Sequence, residues 1–263
     1  MIESILGGSI SLEMLAFLFV AGTLAAFIDS IVGGGGLISV PAILLTGLPP
    51  SLALGSNKCA SVVGAATAAL AFLRAGHVEW SLLKKQIPFT FIGSLLGTWL
   101  VVHIPPLYLK PILIVLLAAV LIFVLFKKDW GTTNDYEKKA HKVQLFALIF
   151  AFSIGLYDGF IGPGTGTFLI FCFLFMGFNF LKAAGNAKIL NFTSNLASMM
   201  LFLALEQVNF AVAIAMALGQ VLGASLGARL AIAKGAALVR ILFIAVTSTM
   251  IIKLAYDYLQ GGR

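Results

Sequence analysis

Asp29-Ser30-Ile31-Val32-Gly33-Gly34-Gly35-Gly36 runs on through Leu37-Ile38-Ser39-Val40 to Pro41. The stretch lies inside an apolar region long enough to span a bilayer, yet it carries a carboxylate and four consecutive glycines, residues poorly suited to an uninterrupted helix. A second stretch, Asp158-Gly159-Phe160-Ile161-Gly162-Pro163-Gly164-Thr165-Gly166, has the same order of acid, apolar positions and glycine-rich break. Two broken membrane helices in corresponding places point to a transporter's binding site.

The rest of the chain fits that setting. Of its 263 residues 60% are hydrophobic and 10% charged, against about 25% charged in an ordinary soluble domain, and the mean hydropathy is +1.07. Apolar runs of about 20 residues containing Gly and Pro suit helices rather than the alternating segments of a membrane barrel. The fold class expected is an all-α integral membrane protein. The net charge of +7 is spread over short loops with no separate basic stripe, which suits membrane orientation and gives no nucleic-acid surface. Cys59 and Cys172 have no metal-ligand spacing and read as packing residues. The first 13 residues contain Glu3 and Glu13 but no Lys or Arg, so they lack a signal peptide's basic region and the first apolar segment is expected to stay in the mature protein.

Apolar segments fall at about 12–32, 37–48, 53–73, 86–103, 107–126, 143–161, 167–178, 182–204, 209–228 and 237–259. The second and seventh, about 12 residues each, are too short to cross a hydrocarbon core of about 30 Å, so they are half-helices, steep short spans or re-entrant pieces. Eight to ten transmembrane elements result. Lys188 lies 130 positions after Lys58, and the same shift pairs Gly34, Gly36, Gly55, Phe72, Gly93 and Gly97 with Gly164, Gly166, Gly185, Phe202, Gly223 and Gly227. The chain is thus expected to divide into a first membrane repeat at 1–126, a cytoplasmic linker at 127–142 and a second repeat at 143–263. Arg74, Lys84 and Lys85 have no basic counterparts in the second half, whereas Arg229, Lys234 and Arg240 face a first-half loop with Lys110 alone. Basic loops inside then require two inverted repeats of five elements, with the termini outside and the central loop cytoplasmic. Asp29 to Gly36 should approach from the cytoplasmic side and Asp158 to Gly166 from outside.

The candidate site residues follow from the repeat. Glycine breaks let backbone N–H groups approach a ligand closely, and a helix restarting beyond them turns its positive end toward an anion; Gly34, Gly36, Gly164 and Gly166 fit that use, with the Thr165 hydroxyl as an added donor. An ammonium within a membrane helix is costly, so Lys58 and Lys188 should face protein or a water-filled cavity. Lys188, Asn191 and Asn195 share one helix face, and Asn57 extends the matching face of the first repeat. Asp29 and Asp158 either respond to a coupling proton or cation, or form structural pairs with the lysines. His77, His103 and His141 form no metal constellation. There is no phosphate-binding Gly-x4-Gly-Lys loop, and neither a nucleophile–base motif nor a cofactor-binding signature. The chain is therefore not expected to be an enzyme or to carry a cofactor or metal.

The stretch 33–41, the Gly55-Ser56-Asn57-Lys58 group, and 157–166 followed by Lys188 to Asn195 resemble the sulfite exporter TauE/SafE family of bacterial and archaeal membrane permeases, from about Gly22 to Tyr256. Ser56 stands where threonine is often expected, which leaves the hydroxyl in place. The resemblance implies a permease of the cytoplasmic (inner) membrane for small sulfur-containing anions such as sulfite, sulfoacetate or other sulfonates. The expected partners are that anion, a coupling proton or cation and the lipid bilayer, and a homodimer is compatible with the pattern. An anion channel, or a membrane enzyme or assembly subunit without transport of its own, is the alternative.

Overall fold

The structure is a computed structural model that describes residues 10–101 and 136–261. All the regular structure among them is helical: α1 (Leu12–Val32), α2 (Gly36–Leu44), α3 (Pro50–Arg74), α4 (Trp80–Val101), α5 (Tyr136–Phe160), α6 (Thr165–Phe175), α7 (Phe180–Ala204) and α8 (Phe210–Gly261), the last broken at Gly235. Starts are set by local chemistry. Ser11 Oγ accepts from the Met14 N–H at 3.2 Å, Pro50 opens α3, and Asn179 Oδ1 accepts from the Lys182 N–H at 2.8 Å.

α1, α3 and residues 210–235 of α8 are long and apolar enough to cross a membrane. Outward rows such as Leu218, Leu222 and Leu226 are exposed at a spacing that forms one stripe, as a lipid-facing surface requires. α7 has the length but carries Lys188, Asn191 and Asn195, and most of it is buried within the protein. The fifth expected segment, 107–126, and residues 127–135 of the expected linker lie outside the described residues. The remainder of that linker is helical: α5 begins at Tyr136, seven residues before the expected start, because Tyr136-Glu137-Lys138-Lys139-Ala140 is polar but made largely of good helix formers.

Close glycine contacts give the helix directions. Gly219, Gly223 and Gly227 lie against the backbone of Phe19, Thr23 and Phe27 in constant register, so the first part of α8 runs parallel to α1. Gly93 and Gly97 meet Phe152 and Leu156 in the same way, so α4 and α5 are parallel. These are the same contacts with the halves exchanged, since Gly223 lies 130 residues after Gly93 and Phe152 lies 129 after Thr23. Gly55 packs beside Phe202 and Gly185 beside Phe72, so α3 and α7 are antiparallel. Ser94 Oγ donates to Ser194 O at 2.6 Å and Thr98 Oγ1 to Ser198 Oγ at 2.9 Å, which makes α4 parallel to α7. It follows that α1, α3 and the start of α8 point one way and α5, α7 and α4, their equivalents, point the other.

The two short helices fold back along the helices that precede them. Ala42 and Ile43 of α2 cluster with Leu18 and Ala21 of α1. Likewise the Phe175 ring of α6 lies 5.3 Å from Phe146 of α5, and Phe168 lies edge-on to Tyr157 at 5.5 Å. α1–α2 and α5–α6 are therefore helical hairpins that point in opposite directions. Their tips meet: Gly33 abuts Gly166 and Thr167, Gly36 abuts Pro163, and Thr167 Oγ1 donates to Val32 O at 3.3 Å.

A paired set of hydrogen bonds fixes the outer loops. Ser56 Oγ accepts from the Asn209 N–H at 2.8 Å and Asn186 Oδ1 from the Glu79 N–H at 2.7 Å, both partners again 130 residues apart. Asn186→Ala is expected to cost about 1–2 kcal/mol by leaving that N–H unpaired in a part-buried turn. A lower thermal midpoint in detergent would report the loss, and an unchanged midpoint would contradict it.

Candidate functional site

Where the hairpin tips meet α3, α7 and α8, the structure leaves a small, partly open polar cavity that encloses about 540 Å³ of empty space when the solvent at its mouth is counted. Of the twelve residues singled out from the sequence, eleven line it: Asp29, Gly34, Gly36, Asn57, Lys58, Asp158, Gly164, Thr165, Gly166, Asn191 and Asn195. Lys188 is the exception, being fully buried behind Asp29.

The charges pair across the repeats. Lys58 Nζ of the first half lies 2.9 Å from Asp158 Oδ2 of the second and donates to Asp158 O at 2.6 Å. The contact with Oδ2 is close but lacks hydrogen-bond alignment, leaving that oxygen without a hydrogen-bond partner. Lys188 Nζ reaches Asp29 Oδ2 at 2.7 Å and also bonds Asp29 O. Asp29 is further held by the Gly35 N–H on Oδ1 at 3.2 Å and by Asn191 Nδ2 on Oδ2 at 3.4 Å. With the acids ionised the four charges cancel, as membrane burial demands. The pairs differ in one respect: both side chains of Lys58–Asp158 are 3% exposed, whereas Asp29 keeps 22% of its side chain open.

Backbone donors frame the same space. The N–H groups of Gly34, Gly36, Gly164 and Gly166 have no hydrogen-bond partner among the described residues. Two of them begin helices, so the positive end of each helix dipole adds to the donors. Thr165 departs from expectation: both its hydroxyl, at 2.7 Å, and its N–H, at 3.1 Å, donate to Gly162 O. Its donors are used inside the turn, so Thr165 shapes the tip and offers an anion only acceptor atoms. Asn195 Nδ2 is similarly bound to Asn191 O at 2.7 Å and Asn191 Oδ1 at 2.9 Å, so it orients Asn191.

Ser61, which the sequence places on the same helix face as Asn57, also lines the cavity, as does Gln220, which sequence reasoning missed. Ser61 stands 130 residues before Asn191, a signal the repeat carried; Gln220 pairs with Thr90, whose different chemistry hid it.

The helical architecture and its apolar spans define an all-α integral membrane protein, with a partly open polar cavity between two helical hairpins. A profile of the family described as sulfite exporter TauE/SafE matches residues 18–254, and the chain belongs to that family. It is 42% identical over 249 residues to a probable membrane transporter protein of Haemophilus influenzae, covering 94% of this chain and 97% of the relative. It is 40% identical over 252 residues to the probable membrane transporter protein ORF9 of a Sinorhizobium species, covering 94% and 95%. The probable membrane transporter protein YfcA of Escherichia coli K12 is 38% identical over 245 residues, covering 93% and 90%. No solved structure matches. The chain is accordingly a membrane transporter of the TauE/SafE type.

Proposed function

We propose that the protein is a secondary transporter, not an enzyme, that carries small sulfur-containing anions such as sulfite, sulfoacetate or other organosulfonates by alternating access. The observation that carries this reading is the convergence on one cavity of four unpartnered glycine N–H groups with Lys58. Preorganised backbone donors at helix starts suit oxyanion oxygens, and the ammonium supplies charge. Lys188 acts from behind the wall by holding Asp29. Asp158 competes with the anion for Lys58, and protonation of the more open Asp29, or a cation bound there, would remove the negative charge that faces the substrate. The two halves, at 1–126 and 143–263, supply the moving parts, and the hairpin tips are one of several contacts they share.

The orientation follows the bases. From the helix directions, Arg74, Lys84, Lys85, Lys182 and Lys234, together with the start of α5, fall toward one face, which we place in the cytoplasm of an inner membrane. Because α2 returns along α1, the Asp29 hairpin then enters from outside and the Asp158 hairpin from the cytoplasm. In this reading the entry sides are the reverse of those expected from the sequence, which has Asp29 to Gly36 approach from the cytoplasmic side.

Purified protein in liposomes should take up at least one of sulfite, thiosulfate and sulfoacetate saturably, at about tenfold or more the rate of acetate. Uptake of none of the sulfur anions, or equal uptake of acetate, would overturn the reading.

A further inference from the structure

We infer that Gln220 is a specificity-determining residue that reads a hydroxyl or amino group at the far end of an elongated organosulfonate. The inference rests on the sulfur-anion reading and narrows it. Gln220 is 4% exposed, yet it lines the cavity and its amide has no hydrogen-bond partner among the described residues. The side chain is packed but its amide atoms are not among the fully buried unpaired ones, so the amide opens onto the cavity, where solvent or a ligand group meets it.

The space for this side chain comes from Gly64 of α3. A methyl group there would lie 2.5 Å from Gln220 Oε1 and 3.0 Å from Gln220 Cβ, so any larger residue would displace the amide. The arrangement is not duplicated. The counterpart of Gly64 is Ser194, whose hydroxyl bonds Asn191 O at 3.1 Å, and the counterpart of Gln220 is Thr90, fully buried and absent from the cavity wall. The cavity is therefore polar at this end on one side only, which suits a substrate whose two ends differ.

Asn57 gives the scale. Its amide is likewise unpartnered, with Oδ1 buried, and it stands beside Lys58, where the anionic head would bind. Gly64 is seven residues further along α3 on nearly the same face, about 10 Å along the axis. Bare sulfite is too short to bridge head and amide and has only acceptor oxygens, so it cannot satisfy an amide carbonyl. A sulfonate with a two- or three-carbon chain ending in O–H or N–H can do both.

Isothermal titration of the purified protein in detergent with sulfite, ethanesulfonate and 2-hydroxyethanesulfonate tests this. The wild type should prefer the hydroxyl compound over ethanesulfonate by about tenfold, the worth of one buried hydrogen bond. In Gln220→Leu that ratio should fall to about one, and Gly64→Ala should lower it as well, with ligand-free unfolding midpoints serving as the control for folding. Parity in the wild type, or a tenfold preference surviving in Gln220→Leu, would overturn the inference and leave the transport reading standing. Binding of none of the three compounds to the wild type would overturn the sulfur-anion reading itself, and this inference with it.

Discussion

Lys58→Ala is expected to destabilise the folded protein by about 3–5 kcal/mol, because it leaves the Asp158 carboxylate, 3% exposed, without its counter-charge. The cost is that of an isolated buried charge and exceeds the net worth of the pair. The double variant Lys58→Met/Asp158→Leu, which removes both charges and keeps comparable volume, should therefore recover most of the loss. Lys188→Ala should cost less. Asp29 retains the Gly35 N–H and Asn191, and its greater opening to the cavity gives it water. Unfolding midpoints in one detergent would order the variants; Lys58→Ala at wild-type stability would mean that Asp158 is not held as a carboxylate in this fold.

Gly33→Ala should be comparably damaging for a steric reason. Gly33 has φ 82° and ψ 177°, a backbone conformation that side chains rarely adopt, and its missing Cβ would fall on the backbone of Gly166 and Thr167. This essentially glycine-only backbone region costs a side chain about 1–3 kcal/mol and overpacking a further 1–3, and no rotamer relieves a clash with main chain. The tips would have to separate, so the variant should lose transport as well as stability. Gly47→Ala is the contrast, with a similar φ of 79° but nothing within contact distance of an added methyl; it isolates the backbone contribution. Equal losses in the two variants would show that contact between the tips contributes nothing.

The sequence made the membrane class, the duplicated breaks and eleven residues of the cavity wall legible, because hydropathy and the 130-residue register are properties of the chain itself. It left open whether the short segments cross. That depends on contacts between residues such as Ile43 and Leu18 or Phe175 and Phe146, which no local pattern encodes. The exchange of partners, Lys58 with Asp158 and Lys188 with Asp29, is likewise a tertiary fact: either lysine could have faced the acid of its own repeat. The Thr165 hydroxyl was read as a donor to substrate because its type permits it, but the tight turn at Gly162 uses that proton first. Gln220 is not legible in the repeat because it occupies a place where the halves differ, opposite Thr90.

Counterflow in liposomes tests the carrier account most directly. Vesicles loaded with millimolar unlabelled sulfite or sulfoacetate and diluted into a trace of the labelled anion should accumulate label transiently above its outside concentration, since a single site exposed to one face at a time exchanges the two pools. Label that equilibrates without overshoot, at rates that do not saturate, would identify a channel and contradict alternating access between the hairpins.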